Sequence, residues 1–256
     1  MLGAILLVLT ACSGPGDGVD SSAAQTPNDS NSSVSAPSST PAAQPGVTLL
    51  EDGPVTPGRH RYVVLTTCDP KLGCPARSNP ELPDVLVTVP AGWNAANEFH
   101  LIEPSIPAGS GAPDGAALVM GWTNYWAALN SQPCSSVSHQ IPDIEVGPTV
   151  DDFVDAVVAH PLLNVTEPTP VRLGRYRGQF FTLIGPPDIS DCKEEWRPWE
   201  PSPYLQGPDN RWDIWVMDVG RVRVLIVAEY YPGTSAKIRA ELRHMAESIR
   251  FAPSKA

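Results

Sequence analysis

The sequence predicts an α+β domain, an antiparallel sheet with two packing helices. A long hairpin pattern runs through RWDIWVMDVGRVRVLIVAEYY at 211–231. The apolar period changes from strand-like to helical after Thr149, and a second helical stripe closes the chain after Ser235. Strands, one helix, four strands and a last helix segregate in this order rather than alternating, which argues against a parallel βαβ sheet.

Residues 48–66 read as an edge segment, with a turn through Pro54 to Gly58 separating TLLEDG from RHRYVVLT. A strand follows over Val85–Val89 and stops at Pro90; its weak alternation predicts burial on both faces. A third strand spans Ala116–Trp122. Thr149 is then an N-cap, and Val150, Phe153, Val154, Val157 and Val158 fall on one helical face, with Asp151 and Asp152 in the first turn and Pro161 ending the helix. VTEPTPVRLGRYRGQFFTLIG gives a strand, a turn near Gly174 and a strand over Tyr176–Ile184. In the hairpin, Val222, Val224, Ile226 and Ala228 share one face, and Arg221, Arg223, Leu225, Val227 and Glu229 the other. Ser235 caps the last helix, whose stripe is Ile238, Leu242, Met245 and Ile249.

The chain divides into three parts. Residues 1–11, MLGAILLVLTA, form a short apolar run ending in small residues, the pattern of an export signal. LTAC at 9–12 resembles a bacterial lipobox, which implies a diacylglyceryl group on Cys12 and anchoring at the outer face of the cell membrane. No Lys or Arg precedes the run, and the first basic residue is Arg59, a departure from the positive stretch that usually opens an export signal. Residues 12–47 then read as a disordered Ser/Thr/Ala/Pro linker with no aromatic residue, unable to bury enough surface to offset its ordering entropy. Residues 48–256 are the extracytoplasmic domain. The net charge of −11 and pI near 4.8 exclude a surface that tracks nucleic acid.

Beyond Cys12 stand Cys68, Cys74, Cys134 and Cys192. An even number in an exported domain suggests disulfides, and four cysteines allow three pairings. The expected set closes the short loop CDPKLGC by Cys68–Cys74 and joins distant segments by Cys134–Cys192. No CxxC is present, and only His139 follows a cysteine at ligand spacing, so no metal is expected.

The element order, the VPAGW strand end, the TVDDFVDAV helix and the closing ESIRF are similar to the PsbP-like fold, a small α/β/α sandwich used repeatedly by lipoproteins of high-GC Gram-positive bacteria. The resemblance covers roughly residues 48–252 and rests on structural motifs. It implies accessory or binding roles rather than catalysis.

No GxSxG occurs, and no catalytic residue or cofactor is expected. His160 reads as a donor to the last carbonyls of its helix, His244 as solvated, and His60 as facing outward from an edge strand. His100 and His139 lie in loops without pairing. Asp151–Asp152 read as cap and dipole residues, and Glu194–Glu195 as solvated. The aromatic loop DCKEEWRPWEPSPYLQGPDN is the remaining candidate. Trp196, Trp199 and Tyr204 there either cover a core edge or form a binding surface. The functional expectation is a lipid-anchored, non-catalytic binding or accessory domain. Its partners are the membrane, through the lipid on Cys12, and an envelope glycan, lipid or membrane protein. The alternatives are a glycan or lipid hydrolase using loop carboxylates, or a purely structural or sensor domain.

Overall fold

The computed structural model describes residues 48–62, 85–96, 100–102, 117–123, 128–134, 143–192, 196–200, 207–220 and 222–251. Of the two units of the chain, Met1–Ala42 and Ala43–Ala256, the described residues all belong to the second. The signal run, Cys12, Cys68, Cys74, His139, Glu194, Glu195 and Tyr204 lie outside the described residues.

In chain order the strands are β1 (Thr48–Leu49), β2 (Gly53–Pro54), β3 (Gly58–Tyr62), β4 (Val85–Val89), β5 (Asn94–Ala96), β6 (His100–Ile102), β7 (Ala117–Thr123) and β8 (Ala128–Leu129). After helix α1 (Val150–Ala159) come β9 (Asn164–Val165), β10 (Thr169–Leu173), β11 (Tyr176–Ile184), β12 (Trp199–Glu200), β13 (Arg211–Val219) and β14 (Val222–Tyr230). Helix α2 (Ala236–Ser248) and β15 (Arg250–Phe251) finish the fold. The main sheet runs β10-β11-β13-β14-β7-β6-β5-β2, with β9 also paired to β11. A smaller sheet runs β1-β3-β4-β15, and β8 pairs with β12. Apart from the parallel β1–β3 pair, the pairings of these strands are antiparallel. The α+β class with two packing helices therefore holds.

The β13–β14 hairpin is apolar on both faces because each face meets its own core. Val222, Val224, Ile226 and Ala228, with Trp215 and Met217, pack against Leu242 and Met245 of α2, Ile249 just past its end, and the valines of β4. Leu225 and Val227, with Trp212, Ile214 and Val216, pack against Phe153, Val154 and Val157 of α1. Both helices begin at caps read from the sequence. Thr149 Oγ1 accepts from the Asp152 N–H while Asp152 Oδ2 accepts from the Thr149 N–H, and Ser235 Oγ accepts from the Ile238 N–H. Arg243 of α2 reaches Asp213 of β13 at 3.1 Å, tying helix to sheet.

Four expectations are corrected. Val85–Val89 is not buried on both faces; Val85, Val87 and Val89 are buried while Leu86 and Thr88 are half-covered, because only one face of the small sheet meets a core. Val158 is 48% exposed. Helical geometry sets it about 100° round from Val157, off the flank of a stripe centred on Val154 and Val157. His60 does not face outward from an edge: β3 lies between β1 and β4, and the imidazole is buried with Nε2 2.6 Å from the Thr56 carbonyl oxygen. His100 opens a strand, β6, rather than lying in a loop.

Candidate functional site

Trp196 and Trp199 belong to the core, not the surface. Trp196 and Trp199 are 4% and 0% exposed. Trp199 meets Phe153 edge-on at 5.3 Å and Trp212 at 5.7 Å, and Trp196 meets Trp212 at 6.4 Å. The Cys134–Cys192 disulfide fastens the segment beside them, as the sequence led us to expect. Two large aromatic side chains with this much apolar area to cover are better placed over a sheet face than in water. Of the two readings of this loop, core cover is the one observed for Trp196 and Trp199, while Tyr204 lies outside the described residues.

A different feature offers a site. Beside the start of α1 an open groove of about 1220 Å³ crosses β10, β11, β13 and β14. Its floor is one row of the sheet register, in which Arg172 faces Arg177, Arg177 faces Asp218, and Asp218 faces Arg223. The β10–β11 turn sets this row. Gly174, at φ 59°, lies in the left-handed region that favours glycine, and the Leu173↔Tyr176 pair around Gly174 and Arg175 places Arg172 opposite Arg177. The walls carry Pro148, Thr149 and Val150 from the entrance to α1, and Pro168, Pro170 and Val171 from β10 and its approach.

The polar groups of the groove divide into engaged and unengaged. Arg223 is buried, and its Nη1 donates to the carbonyl oxygens of Gly147 at 2.6 Å and Thr149 at 2.8 Å. Its guanidinium also lies over the Phe153 ring at 5.0 Å. Burial pulls the Arg223 pKa down to about 10, partly offset by Asp152, so it stays charged. Its Nε–H is buried without an acceptor. Asp151 Oδ1 accepts from Gln179 Nε2 at 2.6 Å, which joins α1 to β11. Arg172 and Arg177 are exposed and, among the described residues, make no hydrogen bond or ion pair. Gly178 between Arg177 and Gln179 permits a close strand approach: a Cβ there would stand 2.1 Å from the Val216 carbonyl oxygen.

A second polar cluster lies inside the core under the tryptophans. Glu229 is 3% exposed and accepts from Asn210 Nδ2 at 2.8 Å. Burial pushes its pKa up to about 7, an effect only partly opposed by the nearby Trp212 indole N–H and by Asn210. The Trp212 N–H stands close without completing a hydrogen bond, and the Trp199 indole N–H and Asn210 Oδ1 are also without partners. A carboxyl this enclosed does not meet a solvent-borne substrate.

His160 does not serve its own helix. Its Nδ1 accepts from the Leu162 N–H at 3.2 Å, so Nε2 carries the proton and donates to the Asn130 carbonyl oxygen at 3.0 Å. Asp151 and Asp152 do act as helix-entrance residues, and His244 is exposed, both as expected. Among the described residues no cluster of three or more His, Cys, Asp or Glu side chains is placed to hold a metal. None of their helices is long and apolar enough to cross a membrane. The sequence reading missed Arg172, Arg177 and the enclosure of Glu229. The first two were signalled by LGRY: a two-residue turn there sets LR and YR face to face.

No protein-family model matches the chain, and no curated protein matches it. A crystal structure from Bacteroides thetaiotaomicron VPI-5482 is similar at 11% identity and a TM-score of 0.32, over 65% of this chain and 44% of that one. The chain thus spans less than half the length of that structure, and so weak a likeness carries no argument about fold family or function.

Proposed function

We propose that this chain is a lipid-anchored extracytoplasmic lipoprotein whose folded domain, residues 48–256, is a non-catalytic binding or accessory module of the PsbP-like sandwich type. The observation that carries the binding role is the groove at the start of α1, with two arginines free to meet a ligand. LTAC and the Ser/Thr/Ala/Pro stretch that follows support the anchor and linker, and the Cys134–Cys192 disulfide suits an oxidising compartment. A helix against each face of a central antiparallel sheet supports the sandwich family.

The test of the anchor is expression of the full chain and of Cys12→Ser in a bacterial host. The parent is expected in the membrane fraction, with a mass increase on the peptide that begins at Cys12, and the variant is expected to lose both. An unmodified parent in the soluble extracytoplasmic fraction would overturn the lipoprotein reading.

A further inference from the structure

We infer that the groove at the start of α1 binds a phosphate ester carried on a polyhydroxy body, such as a phosphorylated glycan, with the phosphate held between Arg172 and Arg177. The inference rests on the binding-module reading and names its ligand class.

Directly opposed residues on neighbouring strands hold their Cβ atoms about 5 Å apart, and like charges so placed repel. Arg172 and Arg177 are such a pair, both line the groove, and among the described residues neither has a hydrogen-bond or ion-pair partner. An anion between them converts that repulsion into two charge-assisted contacts. The shape of the anion follows from the number of donors. A planar carboxylate is matched by a single guanidinium fork, whereas the tetrahedral oxygens of a phosphate accept from two forks on different sides.

The rest of the groove defines what the phosphate is attached to. Asp151 and Asp218 also line it. Two carboxylates exclude a polyanion but accept from hydroxyl groups, so the body of the ligand is uncharged and hydroxyl-rich. Pro148, Pro168 and Pro170 offer flat apolar surface to the C–H face of a sugar ring. A space of about 1220 Å³ holds more than one such ring.

The experiment is titration calorimetry on the full chain carrying Cys12→Ser, oxidised, with glucose 1-phosphate, inorganic phosphate, dihexanoyl phosphatidic acid, succinate and glucose as probes. Glucose 1-phosphate is expected to bind more tightly than inorganic phosphate, phosphatidic acid and succinate. Its affinity is expected to fall about tenfold or more in Arg172→Gln/Arg177→Gln, and to weaken between about 50 and 200 mM salt. The ligand-free double variant is expected to melt within about 2 °C of the parent, since the like-charged pair it removes is set against the opposed Asp218 on the other side of Arg177. Equal binding to the double variant, or phosphatidic acid or succinate binding as tightly, overturns the inference. So does the absence of glucose 1-phosphate binding at about 10 mM, a Kd weaker than the millimolar range of a single good contact set. Glucose binding that Pro170→Trp abolishes would reject the phosphate while leaving a binding module. No saturable binding by any probe would reject the ligand class and the groove together, leaving the anchor to its own fractionation test.

Discussion

Replacing Glu229 with glutamine should stabilise the domain at neutral and alkaline pH and leave it unchanged in acid. The carboxyl lies inside the tryptophan core with Asn210 Nδ2 as its one hydrogen-bond donor, and its pKa rises from 4.5 to about 7. Below pH 4.5 the group is protonated in both folded and unfolded chains and costs nothing. Between 4.5 and 7 the unfolded chain has released the proton and the folded chain still holds it, so stability falls as pH rises. Above 7 the folded chain carries a buried charge and the loss is complete. At about 1.4 kcal/mol for each tenfold difference in proton affinity, the gap amounts to about 3 kcal/mol. Glu229→Gln keeps the shape and the oxygen facing Asn210 but removes the titration. For a domain of this length the difference is roughly 6–12 °C in Tm. The assay is thermal unfolding of parent and variant in steps from pH 4 to pH 8.5. The two curves should meet near pH 4.5 and diverge to a constant separation above 7. Parallel curves would refute the assignment of a protonated carboxyl to this core.

Three further outcomes follow from the packing. Reducing Cys134–Cys192, whose ends are 58 residues apart, should cost roughly 4 kcal/mol on the chain-entropy model, read as a Tm drop of roughly 8 °C or more in reductant; a drop of about 2 °C or less would show that the loop is already constrained when unfolded. Gly178→Ala should destabilise by about 1–3 kcal/mol in urea unfolding, because its Cβ would meet the Val216 carbonyl oxygen at 2.1 Å and the backbone of β13 must shift. Trp199→Ala should cost about 3–5 kcal/mol by removing the ring that Phe153 and Trp212 both pack against; a cost below about 1 kcal/mol would return this side chain to the surface.

The sequence determined those features that local rules govern. Thr149 and Ser235 read as caps because a side-chain oxygen need reach only three residues along the chain. The alternate faces of 222–229 read correctly because strand side chains alternate regardless of what covers them. One disulfide could be named from cysteine count and spacing. Tertiary structure decided what covers each face. Trp196 and Trp199 read in sequence as either core cover or a binding surface, and they lie in the core because they pack over the face of β13 that carries Trp212. Val158 matched the helical period, but it lies about 100° round from Val157, off the face that the sheet covers. Arg172 and Arg177 come together only through a turn register, and Arg223 joins their row only because β13 and β14 lie beside them. Glu229 read simply as the last residue of a strand face. Its enclosure depends on Asn210 and Trp212, and on the tryptophan core that the tertiary structure packs around Trp212, and no periodicity in the sequence records those neighbours.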